Sequence, residues 1–180
     1  MSQKYCVTLP CKPYVRRFME LNYGFPSKIT DRILYDDLRS KLEKKSTRYD
    51  SRYKDFKKYS DTIQIHINSD DFYRSGWELT HTNTVSFNRT MECRAKIFLY
   101  TIVGTRVSMG MNMSDAIEYF MKKFGFDEKV WSKESIYRDC VRNLAVERNE
   151  CLLNISETID KICMDRLYIN GTISRNIKKL

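Results

Sequence analysis

Apolar and polar side chains alternate in two short stretches of the chain, residues 5–9 and residues 61–67. Alternation with a period of two is typical of a β-strand that buries one face. In the second stretch, Ile63, Ile65 and Ile67 share that face. Pro10 is expected to end the first strand, because proline has no backbone N–H to donate. We predict that the two strands pair into a two-stranded sheet, which needs helices to cover it.

Elsewhere, apolar residues recur every three or four positions, and this spacing predicts helices. Ile97–Val103 is rich enough in β-branched residues to form a strand instead, and that alternative stays open. The predicted helices span residues 14–22, 30–44, 84–109, 114–124 and 132–146, with a short helix from residue 69 and a last one over residues 152–167.

Capping residues mark the ends of these helices. Side-chain oxygens at an N-cap accept a hydrogen bond from the first turn, and glycine suits the left-handed C-terminal position. The second helix is expected to bury residues 33, 34, 38 and 42, and the short helix residues 72, 73 and 77. The predicted N-caps are Thr30, Ser69, Ser114 and Ser132, and the predicted C-terminal glycines are Gly24 and Gly125.

The order of these elements predicts a mostly helical α+β fold. We expect residues 1–180 to form a single domain, with a basic α/β lobe over residues 1–68 that holds the two-stranded sheet. Residues 69–180 would form a helical lobe that contains a helix-turn-helix-like pair.

The net charge of the chain is strongly positive. The 180 residues include 32 Lys and Arg against 23 Asp and Glu, which gives +9. Such an excess favours a polyanionic partner, nucleic acid ahead of a membrane surface. No apolar run is long enough to span a membrane, and no secretory signal opens the sequence, so we expect a cytoplasmic protein.

Residues 39–59 hold nine basic and three acidic side chains, with aromatic residues between them. Cations would contact phosphates there, and tyrosines would stack on bases. The alternative is a solvated segment whose tyrosines pack inward. Lys12, Arg16 and Arg17 are expected to extend the basic surface. The predicted contacts in the segment are Lys44, Lys45, Arg48, Arg52, Lys54, Lys57 and Lys58.

The predicted helices over residues 114–124 and 132–146 form the second candidate site. Ile136, Cys140 and Leu144 make an apolar stripe on the second helix. A helix that is buried on one side and carries two arginines one turn apart on the other can lie in a DNA major groove. The alternative is two ordinary surface helices, and the seven-residue connection 125–131 is longer than that of a tight helix-turn-helix. The predicted contacts are Arg138, Arg142, Ser135, Lys133, Lys122 and Lys123.

The sequence offers little for catalysis, metals or cofactors. No glycine-rich phosphate loop, nucleophile elbow or zinc-protease motif is present. Six cysteines stand without metal-ligand spacing, and the only histidines are His66 and His81. We therefore expect reduced thiols, no metal, no cofactor, no small-molecule substrate and no enzymatic activity. The amphipathic segment 152–167 either packs on the core or pairs two copies of the chain into a homodimer.

Several short stretches together suggest a relationship, namely Lys12-Pro13-Tyr14-Val15, Asn22-Tyr23-Gly24, residues 70–74 with Trp77-Glu78, and Phe124-Gly125-Phe126 with Trp131 and Glu134-Ser135-Ile136. In these stretches the chain resembles short proteins of unassigned function encoded by phages and mobile elements of gut bacteria. Residues 114–146 are also loosely similar to the DNA-binding helices of replication initiators and phage activators. The resemblance implies a bacterial host cell.

These observations favour a non-enzymatic protein that binds double-stranded DNA, with RNA as the second choice. It would act in transcription regulation or as an accessory factor of a phage or mobile element. The alternative is a structural, assembly or interaction module that binds an acidic protein.

Overall fold

The computed structural model describes residues 5–44 and 58–144. The chain divides into two compact units, Met1–Cys93 and Arg94–Leu180, here called the N-terminal and C-terminal units. The lobe boundary expected at 68/69 lies inside the N-terminal unit. The elements in chain order are β1 (Cys6–Cys11), α1 (Pro13–Tyr23), α2 (Arg32–Lys41), β2 (Leu42–Glu43), β3 (Asp61–His66), α3 (Ser69–Ser75), β4 (Glu78–Leu79), α4 (His81–Ser108), α5 (Met113–Phe124) and α6 (Lys133–Asn143).

The predicted α+β class and the predicted two-stranded sheet are confirmed. β1 and β3 pair antiparallel, with Val7 opposite Ile65 and Leu9 opposite Ile63, all four buried. The prediction that Pro10 ends the strand is wrong, since β1 continues to Cys11. Proline is tolerated in an edge strand, where its missing N–H breaks no ladder. The carbonyl of Pro10 instead accepts a hydrogen bond from Asn88 Nδ2, at 2.8 Å.

A second small sheet, formed by β2 and β4, was not predicted. Leu42 pairs with Leu79, and Glu43 with Glu78. The predicted extension of α2 to residue 44 is wrong for this reason, because the chain turns extended at Leu42 to reach β4. Leu34 and Leu38 are buried as expected, whereas Ile33 is exposed. Successive residues of a helix are rotated by about 100° about its axis, so the Ile33 side chain points away from the core that Leu34 and Leu38 contact.

Three of the four predicted N-caps are wrong by one or two residues, and only Ser132 is confirmed. In the other helices a nearby Asp or Asn accepts the hydrogen bond from the backbone N–H three residues on, which its longer polar side chain reaches readily. The observed caps are Asp31, Asn68 and Asn112, with distances of 3.1, 2.7 and 2.9 Å.

α4 settles the open alternative for residues 97–103. This stretch is helical, and its buried side chains are Leu99, Ile102 and Val103. That spacing places all three on one helical face, which a strand would split between two faces. None of the helices in the two described ranges combines the length and hydropathy of a membrane span.

α2 and α3 are joined by a polar network around one carboxylate that is almost wholly buried. Asp71 accepts hydrogen bonds from the Tyr35 hydroxyl at 2.8 Å and from Asn68 Nδ2 at 2.6 Å. The backbone N–H of Asp71 in turn donates to Asn68 Oδ1. A buried carboxylate needs such donors to offset its desolvation. The network thus holds the start of α3 against α2.

Two glycines of the N-terminal unit give a matched test of local packing. Gly24 (φ 72°, ψ −169°) and Gly76 (φ 109°, ψ −170°) share a conformation that L-residues rarely adopt. A Cβ at Gly76 would lie 2.1 Å from the backbone carbon of Glu43, whereas a Cβ at Gly24 would meet nothing within 4 Å. Gly76 therefore allows β2 and β4 to approach.

We expect Gly24→Ala to lower the free energy of unfolding by about 1–3 kcal/mol through backbone strain alone. Gly76→Ala should cost roughly 1–3 kcal/mol more, because it adds overlap with the backbone. Urea denaturation followed by circular dichroism measures both. Equal losses in the two variants would show that β2 does not pass close to Gly76.

Candidate nucleic-acid interface

The C-terminal unit is built on an aromatic core beneath two helices. Phe98 of α4 contacts Phe120 and Phe124 of α5, with ring centroids 5.7 and 4.9 Å apart. Ala116, Ile117 and Phe120 are fully buried, so one face of α5 is committed to this core. Met121 and Phe124 of α5 are half-buried.

The connection between α5 and α6 is long but well packed. Gly125 ends α5 in the left-handed conformation, as predicted. Phe126 stacks on Phe120 at 5.0 Å and meets Trp131 at 5.9 Å, and both Phe126 and Trp131 are buried. Asp127 Oδ1 accepts hydrogen bonds from the backbone N–H groups two and three residues on, at 3.0 and 2.8 Å. These contacts fix the start of α6, although the connection exceeds that of a tight helix-turn-helix.

α6 buries the predicted stripe and exposes the predicted polar face. Ile136 and Cys140 are fully buried. Leu144, the C-cap of α6, lies against α4, since a Cβ at Gly104 would come 2.7 Å from Leu144 Cδ2. The helix ends at Asn143, three residues earlier than predicted. Ser132, Glu134, Ser135, Arg138, Asp139 and Arg142 line a shallow polar groove along its outer face.

The two predicted arginines differ in their surroundings. Arg138 Nη2 pairs with Glu134 one turn earlier, and these side chains are 61% and 75% exposed. Arg142 is exposed and has no hydrogen bond or ion pair to any residue in the described ranges. Of these two arginines, Arg142 is therefore the one whose guanidinium is more available to a ligand.

Two of the three predicted lysines lie around one carboxylate of α5. Glu118 pairs with Lys122 at 2.7 Å and with Lys133 at 3.4 Å. Both lysines lower the pKa of Glu118, and Lys122 contributes more than Lys133. Lys123 is exposed in the C-terminal turn of α5. A second carboxylate, Glu128, accepts a hydrogen bond from the backbone N–H of Lys133, so acidic side chains offset part of the lysine charge here.

Sequence reasoning missed the contribution of α4. Lys96 pairs with Asp139 at 2.7 Å, so this carboxylate of α6 is half-buried and neutralised from α4. Tyr137 and Val141 of α6 are exposed. No local spacing signals either result, because both depend on how α6 rotates against a helix some forty residues earlier.

The N-terminal residues expected to extend the basic surface are largely paired. Lys12 lies 2.7 Å from Glu92, and Arg16 lies 2.8 Å from Glu20 and 2.9 Å from Asp61. The prediction that Lys12 and Arg16 extend a basic surface is therefore wrong.

Of the segment 39–59, the structure describes residues 39–44, 58 and 59. Lys44 and Lys58 are exposed, and Tyr59 is buried, so this tyrosine packs inward as the alternative held. Five of the predicted contacts lie outside the described residues, namely Lys45, Arg48, Arg52, Lys54 and Lys57.

Charge is unevenly divided between the described parts of the two units. Residues 94–144 carry nine basic and six acidic side chains, a net +3. Residues 5–44 and 58–93 carry eleven basic and ten acidic side chains, a net +1 in a longer stretch. Within the described ranges, the positive excess is concentrated in the unit that contains α5 and α6.

Two buried thiols lie on inner faces and are poor nucleophiles. Burial raises the pKa of Cys140 on α6, and of Cys11 on β1, to about 12. Within residues 5–44 and 58–144, no group of three His, Cys, Asp or Glu side chains is placed to hold a metal ion.

Comparisons of the chain with protein-family models, with curated proteins and with solved structures found no match. The geometry of α5, α6 and their charged side chains is therefore the observation that bears on function.

The buried thiol of Cys140 tests which way α6 faces. At pH 8 only about one in ten thousand molecules would carry this thiolate, because its pKa lies near 12. We expect iodoacetamide to label exposed Cys93 in the native protein and to label Cys140 and Cys11 only after unfolding. Peptide mass spectrometry measures each site. Rapid native labelling of Cys140 would mean that α6 presents a different face.

Proposed function

We propose that this protein binds nucleic acid without catalysing a reaction, and that its ligand is double-stranded DNA. In this proposal the exposed face of α6 contacts the duplex, and the protein serves as a regulatory or accessory factor of a phage or mobile element. The observation that carries the proposal is the two-sided character of α6. Ile136 and Cys140 are buried, while Ser135, Arg138 and Arg142 face outward, and Arg142 has no partner in the described ranges.

The dimensions of α6 suit a major groove. Its eleven residues span about 16 Å, and a major groove about 12 Å wide admits one helix. Arg138 and Arg142 are separated by one turn, so their guanidinium groups can address neighbouring base pairs or successive phosphates. Arginine can bridge O6 and N7 of guanine with two hydrogen bonds, and the Ser135 hydroxyl can donate or accept.

Lysines at the edge of the helix pair support backbone contact. Lys123 is exposed at the end of α5, and Lys122 and Lys133 share a single carboxylate. Lysine contacts to phosphates add affinity without sequence preference and help to set the register of the protein on DNA. The basic residues between 45 and 57 would add to the affinity from phosphate contacts. A homodimer through residues 152–167 would present two copies of the α6 face. Both remain predictions.

Arg142 offers the sharpest test. We expect Arg142→Gln to weaken binding to a mixed-sequence duplex by about 5- to 150-fold, the usual cost of losing one arginine contact of 1–3 kcal/mol. If the contact is to a phosphate, the slope of log K against log salt should also fall by about one. Fluorescence anisotropy across a salt series measures both quantities.

The control is Arg89→Gln, which removes an exposed arginine of the N-terminal unit that also lacks a partner in the described ranges. Its affinity should match that of the wild type. Equal affinities for all three proteins would refute a role for α6.

A substitution of Glu134 is expected to change the affinity for duplex DNA in the opposite direction. Glu134→Gln releases Arg138 and removes a negative charge, so we expect affinity for duplex DNA to rise about two- to fivefold. The free energy of unfolding should change by less than about 0.5 kcal/mol, because the pair is well exposed. Glu78→Gln removes an equal charge from the N-terminal unit and should leave affinity unchanged. Weaker binding by Glu134→Gln would contradict the proposed contact.

One observation favours a second candidate, an acidic protein partner on the same face. Tyr137 and Val141 are exposed on α6 beside the arginines, and tyrosine and arginine are enriched in protein interfaces. DNA binding should weaken steeply with salt, whereas a nearly flat response, with retention by an acidic protein, would favour this candidate.

A further inference from the structure

Four aromatic side chains of the N-terminal unit form a continuous cluster at its surface. Tyr5 at the start of β1 lies 4.8 Å from Phe72 and 5.6 Å from Tyr73, measured between ring centroids. Phe72 lies 5.1 Å from Trp77 in a nearly parallel stack. None of the four is buried, and Tyr73 is 60% exposed. We call Tyr5, Phe72, Tyr73 and Trp77 the aromatic cluster.

The expectation that Tyr73 is buried is wrong, and its exposure creates the feature. The Tyr73 ring stands at 70° to Tyr5 and at 81° to Phe72, so it rises as a ridge across the other rings. Exposed aromatic groups that touch one another are uncommon on monomers and typical of recognition surfaces. We call the apolar ring faces on either side of Tyr73 the troughs.

Hydroxyl and indole groups supply hydrogen-bond donors around these troughs. The hydroxyls of Tyr5 and Tyr73 lie 3.2 Å apart, so one of them donates to the other and the second hydrogen stays available. The hydrogen bond to Tyr73 raises the pKa of Tyr5 further above neutral pH, where a tyrosine hydroxyl is already protonated. Donors beside an aromatic trough suit a ligand that presents apolar rings and unpaired carbonyl oxygens.

The charge beside the cluster opposes the sign of the whole chain. Residues 68–79 contain three carboxylates, Asp70, Asp71 and Glu78, against one cation, Arg74. Asp71 is buried and bonded to Tyr35 and Asn68. Asp70 and Glu78 are exposed and have no partner in the described ranges. A phosphate backbone would meet two free carboxylates here, whereas a basic ligand would be attracted.

We propose that the aromatic cluster binds a proline-rich segment of a partner protein, in the polyproline II conformation and flanked by a basic residue. Proline rings would pack in the troughs beside Tyr73. Because a polyproline II helix forms no internal hydrogen bonds, its carbonyls can accept from the tyrosine hydroxyls and the Trp77 indole. Asp70 and Glu78 would pair with the flanking cation. The chain has only three prolines, of which Pro10 lies in β1 and Pro13 begins α1, so neither belongs to a free proline-rich segment and the ligand is a different chain.

The two tryptophans provide a reporter and its internal control. Trp77 belongs to the cluster, whereas Trp131 is buried in the C-terminal unit. The probe is a peptide of eight prolines with an arginine at each end, titrated into ¹⁵N-labelled protein. We expect the indole N–H signal of Trp77 to shift in a saturable way and that of Trp131 to stay in place. Trp77→Phe assigns the two signals.

Variants separate ring packing from charge. Tyr73→Ala should weaken peptide binding at least tenfold. The control is Tyr137→Ala, which removes an exposed tyrosine of the C-terminal unit and should leave peptide binding unchanged. Asp70→Asn with Glu78→Gln should weaken binding of the arginine-flanked peptide but not of a glutamine-flanked one. Unchanged backbone amide signals from the rest of the N-terminal unit report that each variant is folded.

Three results would overturn the proposal. The first is no shift of Trp77 at millimolar peptide. The second is an equal shift with a glycine–serine peptide that carries the same arginines, which would mean that charge alone attracts it. The third is a Trp77 shift with single-stranded oligothymidine but not with the proline peptide, since the cluster would then stack on bases.

Discussion

The packing of aromatic rings beneath α6 is the constraint on which the C-terminal unit depends. Phe98, Phe120, Phe126 and Trp131 fill the space between α4, α5 and the connecting segment. Each buried ring contributes on the order of 2–3 kcal/mol, which far exceeds any exposed ion pair on the surface of these helices. The rings set where α6 begins, and Ile136 and Cys140 then set its rotation. Which side chains a ligand can reach follows from that rotation.

The free energies of the ion pairs on α6 determine how strongly those pairs compete with a ligand. An exposed pair such as Arg138–Glu134 is worth about 0–1 kcal/mol, whereas an arginine contact to a base is worth about 1–3 kcal/mol. In the proposed complex, nucleic acid would displace Glu134 at modest cost, and the pair would lower affinity without blocking the face. Lys12 and Arg16 are different, since they and their carboxylates are half-buried and Arg16 pairs with two of them, Glu20 and Asp61. Those cations serve the packing of the N-terminal unit.

The two units carry surfaces of different chemistry. The outer face of α6 combines arginines with Tyr137 and Val141, whereas the aromatic cluster lies beside Asp70 and Glu78, two exposed carboxylates without a partner among the described residues. The net charge of +9 does not reveal this difference, because it is the sum of the charges of both units. A protein that held nucleic acid on one surface and a proline-rich partner on the other would bring that partner to DNA, which suits a regulatory or accessory role.

Local patterns in the sequence determined most of the elements but few of their ends. Alternation at residues 61–67 and the stripe at Ile136 and Cys140 identified β3 and α6 correctly, because period and burial are linked within a single element. Three observed N-caps differ from the predicted ones by one or two residues. Thr, Ser, Asp and Asn can all cap a helix and stand next to one another in this sequence, so the tertiary structure decides which of them does so. The tertiary structure alone decided the pairing of β2 with β4, the neutralisation of Asp139 by Lys96, and the exposure of Tyr73 and Tyr137. Each of these depends on contact between residues far apart in the chain, and no local spacing encodes such contacts.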